Sequence, residues 1–153
     1  MKVAIYPGSF DPITNGHLEI LKRALNIFDK VIMLVAVNEQ KKARFSAEER
    51  VAMIKEAIDD PRVSVDSYNG LTVEYAKKHG ASHLIRGLRA VTDFEYEFSL
   101  ASANDYIDSS IDTVFLMSKI EKSFINSSMI MELYQNGVDV SKLVPPSVIK
   151  RLK

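Results

Sequence analysis

Residues 2 to 28, KVAIYPGSFDPITNGHLEILKRALNIF, read as a strand, a glycine-bearing turn and an amphipathic helix. Val3, Ala4, Ile5 and Tyr6 form an apolar run with no polar alternation, which suits a parallel strand covered on both faces. Pro7 has no N–H to give and is expected to end the ladder. Leu18, Leu21, Leu25 and Phe28 recur at spacings of three and four, so they share one face of a helix starting near Thr14 or Asn15, both good N-caps. Between strand and helix, Gly8 and Gly16 let the backbone approach a ligand closely. The first free N–H groups of the helix point outward with the positive end of its dipole. An anion fits there, and His17, in the first helical turn, can donate to a phosphate oxygen.

Composition bounds the rest. A chain of 153 residues, 46% of them hydrophobic, can bury one sizeable core and is most simply a single domain over residues 1–153. Lys plus Arg and Asp plus Glu number 20 each, so no bulk positive field exists to hold a nucleic acid, and a small anionic ligand suits the balance better. Cysteine is absent, which excludes disulfides, thiolate metal sites and a cysteine nucleophile. The start reads as a strand and not as a signal peptide, and no apolar run approaches the length needed to span a membrane. The expectation is a cytoplasmic protein.

Along the chain, strand and helix signals alternate. Residues 31–37 (VIMLVAV) read as a second buried strand. The loop after it carries Lys41, Lys42 and Arg44 and ends in a capping box, Ser46 with Glu49, ahead of a helix whose buried stripe is expected to be Val51, Ile54 and Ile58. A loop leaving the carboxyl end of the second strand lies beside the first turn in a doubly wound sheet, so Lys41 is a candidate phosphate ligand. Val63 and Val65 suggest a third strand, and residues 72–78 a short helix closed by Gly80. His79 suits the negative end of that helix, and His83 has no motif around it.

Arg86-Gly87-Leu88-Arg89 is expected to leave the end of a strand at Leu84 and Ile85. It offers two planar, permanently charged forks to a polyanion, unless they pair with acids such as Asp93 and Glu95. A helix from about Asp93 to Asn104 is apolar on two sides. Phe94, Phe98 and Ala101 are expected to enter the core, and Tyr96, Leu100 and Ala103 to meet a second subunit. Residues 112–117 (DTVFLM) read as a final central strand, and Ile125-Asn126-Ser127-Ser128 as the start of a helix and a second anion site. Gly137 ends that helix, and Ser147 is expected to cap a short terminal one. The alternation implies an α/β fold, a Rossmann-like, doubly wound parallel sheet in three layers, with ligands outside the carboxyl ends of the strands. Neither GxGxxG nor a Walker pattern occurs.

Gly8-Ser9-Phe10-Asp11-Pro12 followed by Thr14-Asn15-Gly16-His17 resembles the signature of the nucleotidyltransferase superfamily, a His or Thr, any residue, then Gly-His. With Arg86-Gly87-Leu88-Arg89, Asp93-Phe94-Glu95-Tyr96-Glu97 and Ser123-Phe124-Ile125-Asn126-Ser127-Ser128, the resemblance narrows to the bacterial phosphopantetheine adenylyltransferases. Ser9 stands where threonine is commoner in that family, Asn126 where many relatives carry serine, and Lys122 where an aromatic residue is frequent.

The resemblance implies transfer of the adenylyl group of ATP to 4'-phosphopantetheine, giving pyrophosphate and dephospho-coenzyme A, by in-line displacement in the penultimate step of coenzyme A biosynthesis. Ser9, Lys41, Thr72 and Arg86 would contact the pantetheine substrate. Ser9, Phe10, His17, Gly87, Leu88, Arg89, Glu97 and the segment Lys122, Ser123, Phe124, Ile125, Asn126, Ser127 and Ser128 would contact ATP. His17, Lys41 and Arg89 would stabilise the transition state. No protein metal ligands are implied, a magnesium ion (Mg2+) being expected on the triphosphate. Dephospho-coenzyme A or coenzyme A would be product or regulator, and the assembly a homohexamer. Other readings of the first turn are a different small-molecule nucleotidyltransferase, a non-enzymatic adenine-nucleotide sensor, or a piece of a tRNA synthetase catalytic domain.

Overall fold

The structure is a computed structural model that describes residues 1–119 and 125–152, with the backbone alone at 91 and 92. Five strands, β1 (Val3–Gly8), β2 (Lys30–Ala36), β3 (Val63–Tyr68), β4 (His83–Leu88) and β5 (Asp112–Met117), form one sheet in the order β3-β2-β1-β4-β5. Every registered pair is parallel. The helices among the described residues are α1 (Asn15–Ala24), α2 (Ala47–Ala57), α3 (Thr72–Lys78), α4 (Val91–Ile107), α5 (Ser127–Gln135) and α6 (Pro146–Ile149). None is long and apolar enough to cross a membrane.

Alternation along the strands explains why β1 and β2 read as unbroken apolar runs. Ala4, Tyr6, Val31, Met33 and Val35 share one core with Ile20 and Leu21 of α1, Met53 and Ile54 of α2, Ile130 of α5 and Val148 of α6. Ile5, Ile32, Leu34 and Leu84 point the other way and pack with Val73, Tyr75 and Ala76 of α3. Both faces of the central strands are therefore dry, and truncating Met33 or Ile5 to Ala would cost about 2–5 kcal/mol. The chain builds outward from β1 to β3 and then crosses to β4. The order of strands thus reverses beside β1, and in such sheets the crevice at the carboxyl ends of the strands there receives ligands.

Several local expectations change. Pro7 does not end β1: it pairs in register with Leu34 of β2, and Gly8 pairs with Val35. The Pro7 carbonyl faces the β4 side and accepts from Arg86 Nη1 at 2.8 Å. The missing N–H falls on that same side, where β1 pairs with β4 only at Ala4 and Ile5, so no ladder bond is lost. The first helix stops at Ala24, and tight turn bonds still bring Leu25 and Phe28 into the core.

Arg86, Gly87 and Leu88 belong to β4 itself, because β5 continues the ladder alongside them. β5 is in turn an edge strand and not a central one. The buried face of α2 is formed by Arg50, Met53 and Ile54, with Val51 and Ile58 only partly covered. At α6 the cap is Pro145, and Pro146 takes the first turn, where a lost N–H costs least. Ser147 sits inside the helix, and its buried hydroxyl donates to the Met53 carbonyl at 2.7 Å.

Candidate active site

The start of α1 is built by a reciprocal cap. Thr14 Oγ1 accepts the His17 N–H at 3.3 Å, and His17 Nδ1 accepts the Thr14 N–H at 3.0 Å. This is a capping box with histidine in the place usually held by Glu or Gln. It fixes the imidazole: with Nδ1 receiving a proton donor, the neutral ring carries its own proton on Nε2. Burial, reinforced by the Arg89 and Arg86 charges, lowers the His17 pKa to about 4, so the ring is neutral near pH 7. The Asn15 amide is spent on the Leu143 carbonyl at 2.8 Å, and the Asn15 side chain donates to the Lys142 carbonyl at 2.9 Å. Leu18 donates to Thr14 in the ordinary helical way. Among the described residues this leaves the Gly16 amide as the uncommitted donor of that turn.

Phe10 supports the imidazole from beneath. It holds φ at +47°, a left-handed conformation costly for an aromatic residue, and its ring meets His17 edge to face at 4.9 Å between centroids. The ring folds back over Gly8, where a Cβ would come within 3.0 Å of it. A Cβ at position 8 would therefore press on the Phe10 ring, apart from anything a ligand asks of that position.

Two buried charged residues that sequence reasoning missed tie this turn to the loop carrying Lys41. The Asp11 carboxylate accepts the Arg44 and Phe45 amides at 2.7 and 2.9 Å. Arg50 donates to the carbonyls of Ser9 and Phe45 at 2.9 and 3.1 Å, and at 3.4 Å to those of Ala36 and Ser46. The only local hint was an arginine in the first turn of a capped helix, since the partners of Asp11, and the Ser9 and Ala36 carbonyls that Arg50 reaches, lie far away in sequence.

Across the crevice, Arg86 forms a two-pronged pair with Glu97 of α4, and Arg89 bonds Asp93 through Nε at 3.1 Å and through its own backbone amide at 3.1 Å. The acidic partners of the two arginines are thus Glu97 and Asp93, and Glu95 takes no part. Opposite them, Asn126 caps α5 by accepting the Met129 amide at 2.8 Å, and the Ser127 hydroxyl donates to the Pro12 carbonyl at 2.7 Å. The serine hydroxyl expected at this anion site therefore braces the first turn. The Ser127 and Ser128 amides make no hydrogen bond among the described residues.

All of this encloses one cavity of about 770 Å3 at the carboxyl edge of the sheet, a size suited to small-molecule ligands. Of the candidates drawn from the sequence, Ser9, Phe10, His17, Lys41, Thr72, Arg86, Gly87, Arg89, Glu97, Ile125, Asn126, Ser127 and Ser128 line it. Leu88 does not, and Lys122, Ser123 and Phe124 lie outside the described residues.

Sequence reasoning missed one wall. Asp93, Tyr96, Leu100 and Asn104 of α4 face the cavity together with Glu97. Tyr96 and Leu100 had been expected to leave the subunit, and Phe94 and Phe98 to enter its core. The reverse holds for the phenylalanines, which are 43% and 57% exposed. The signal was present as polar and apolar residues recurring every three or four positions, a pattern hidden from a search for apolar stripes alone.

Among the described residues no group of three or more acidic or imidazole side chains could hold a metal ion. The acids facing the cavity, Asp93 and Glu97, are engaged by arginines.

Comparison with known proteins identifies the family. A family model described as cytidylyltransferase-like matches residues 5–133. A phosphopantetheine adenylyltransferase of Geotalea daltonii is 49% identical over 153 residues, covering 99% of this chain and 95% of that protein. Those of Nautilia profundicola and Caldanaerobacter subterraneus subsp. tengcongensis are also 49% identical, covering 97% and 99% of this chain and 97% and 96% of theirs. Among solved structures, a bifunctional NMN adenylyltransferase/ADP ribose pyrophosphatase from Francisella tularensis superposes with a TM-score of 0.68 at 18% identity. The match covers 94% of this chain and 47% of that one, and it speaks for the fold alone. The crevice beside β1, its capped histidine and its facing arginines thus lie in a sequence that near-full-length relatives share at half its positions, and the chain belongs to the phosphopantetheine adenylyltransferases of the cytidylyltransferase-like family.

Proposed function

We propose that the protein transfers the adenylyl group of ATP to the phosphate of 4'-phosphopantetheine, releasing pyrophosphate and dephospho-coenzyme A. The observation that carries this reading is a single cavity that gathers two helix starts, His17, Lys41, Arg86 and Arg89. A phosphate monoester is largely ionised near neutral pH, so its oxygen can attack the α-phosphorus without a general base. The new P–O bond forms as the bond to pyrophosphate breaks, and the leaving group takes the electron pair. Catalysis then consists of holding two polyanions together and stabilising the charge that develops between them.

In this reading the His17 Nε2–H donates to a phosphate oxygen of the reacting nucleotide, with the Gly16 amide beside it. Arg89, Gly87 and the Ser127 and Ser128 amides hold ATP. Lys41, whose ammonium has no ion pair among the described residues, meets the acceptor phosphate with Ser9 and Thr72 nearby. Arg86 uses three of its five N–H donors on Glu97 and Pro7, which leaves two for the acceptor. A magnesium ion bound to the triphosphate would neutralise part of its charge; the residues present suit an ion held by phosphate oxygens and water.

The exposed Phe94, Phe98, Tyr106 and Ile107 on α4 support association of several copies, and the family resemblance points to a homohexamer. The substrates point to the cytoplasm. Incubation with ATP, magnesium and a panel of phosphorylated acceptors tests the reaction. Pyrophosphate together with dephospho-coenzyme A is expected from 4'-phosphopantetheine. Preference for another acceptor, or ATP binding without pyrophosphate release, would overturn it.

A further inference from the structure

Residues 38–44, with Lys41 among them, are exposed, so apolar packing does not decide where its ammonium lies. Local turn bonds shape the loop, Gln40 donating to the Asn38 side chain and Lys41 to the Asn38 carbonyl, both at 3.0 Å. Those bonds do not fix its position relative to the first turn. Two buried charges do, beside one bond of 3.3 Å from Arg44 Nη1 to the Asp11 carbonyl. Arg50, 5% exposed, reaches Ala36 just before the loop, Phe45 and Ser46 just after it, and Ser9 in the first turn. Asp11, 8% exposed, grips the returning strand of the loop from the opposite side through the Arg44 and Phe45 amides.

The geometry points to Arg50 and Asp11 as positioning residues that set the distance between Lys41 and Ser9, and hence the seat of the acceptor phosphate; this rests on the reaction proposed above. Neither residue lines the cavity. The chemistry explains the residue types. A guanidinium is a permanently charged plane with five donors and no acceptor, so it can meet carbonyls from three chain segments at once. An ammonium has the charge but radiates three donors from one point and cannot span them. A carboxylate offers two acceptors in one plane, matched to two successive amides. No carboxylate among the described residues bonds Arg50, so its charge is solvated by carbonyl dipoles only.

A merely structural role would lower stability and leave the kinetics of the folded fraction untouched. Arg50→Ala, Arg50→Lys and Asp11→Asn, made in the full chain, separate the two cases. In each folded variant the KM for 4'-phosphopantetheine is expected to rise about tenfold, equivalent to about 1.4 kcal/mol of binding, while the KM for ATP stays within about twofold. Hydrogen exchange should quicken at the Arg44 and Phe45 amides and not in α5. Added guanidinium ion should restore part of the acceptor KM of Arg50→Ala, and Arg50→Lys should not rescue it.

An unchanged acceptor KM in a folded variant, or equal rises for both substrates, would overturn the assignment. If Arg50→Ala does not fold, Asp11→Asn carries the same test with the buried cation in place. If the wild type adenylylates no acceptor, the proposed reaction fails by itself. Exchange at Arg44 and Phe45 then decides the anchoring, and unchanged exchange in Asp11→Asn would refute it.

Discussion

Arg86 lays its guanidinium edge-on against the Glu97 carboxylate, Nε to Oε2 at 2.7 Å and Nη2 to Oε1 at 2.6 Å, and so joins the carboxyl half of β4 to the middle of α4. Their side chains are 23% and 8% exposed. Removing one partner leaves a charge in poor solvent, so Glu97→Ala should destabilise the protein by on the order of 3 kcal/mol. Replacing both, Arg86→Met with Glu97→Leu, should recover most of that stability and still leave turnover low. Urea unfolding of Arg86→Met, Glu97→Leu and the double variant checks this; simple additivity would show the two residues to be uncoupled.

His17→Gln should lower turnover by about a hundredfold to a thousandfold, the usual consequence of losing one preorganised donor at a reacting phosphate or carbonyl. Glutamine at this position can still accept the Thr14 N–H and complete the capping box, so the fold should survive. Circular dichroism paired with steady-state kinetics makes the comparison, and near-wild-type turnover in the folded variant would remove His17 from the chemistry.

The depressed pKa of His17 also gives a pH signature. Folding lowers it from 6.5 to about 4, chiefly through burial. Between these values the unfolded chain binds a proton that the folded chain does not, so stability falls as pH drops through this window and the penalty is absent above it. His17→Gln abolishes that term. The wild type should therefore lose more unfolding free energy than the variant between pH 7.5 and 5, as read by urea titration at both pH values. Turnover should decline near pH 6 in both proteins, because the acceptor phosphate itself takes up a proton there.

Phe98 stands 57% exposed on the outer side of α4, in ring contact with Phe94, which itself touches Phe115 of β5. If copies associate through this surface, Phe98→Asp places a charge in the contact and should lower the mass measured by light scattering. A wild type that is monomeric at assay concentrations, or a variant of unchanged mass, would count against the association.

The frame of the molecule was readable because Val3 to Tyr6 of β1 and Val31 to Ala36 of β2 run without polar alternation, as a strand dry on both faces does, and because Ser46 and Glu49 mark the start of α2 in a recognised spacing. The companion box at Thr14 and His17 escaped notice, since histidine is not the residue that spacing usually signals. What failed was long-range or polar. Asp11 finds its partners 33 and 34 residues away, and Arg50, besides its near neighbours Phe45 and Ser46, reaches Ser9 41 residues away, beyond any local pattern. α4 is seated by a carboxylate, Glu97, and ranking faces by apolar content therefore sent Phe94 and Phe98 into a core they do not enter. Pro7 was misjudged for a related reason: whether a strand tolerates proline depends on which neighbour would have needed its N–H, and that is settled only in the assembled sheet.

The bonds from Asn15 to the Leu143 and Lys142 carbonyls bear on the order in which the molecule can be finished on the ribosome. Asn15 is made 127 residues before Lys142, whose carbonyl its side chain bonds. A nascent chain can therefore pair β1 with β2 early, yet it cannot settle the start of α1 until residue 143 has been made. Chains halted before Lys142 would carry every cavity-lining side chain named here and lack the brace at the start of α1. A chain halted there would leave the Asn15 amide and side chain without these partners, so residues 142 and 143 complete a turn made far earlier.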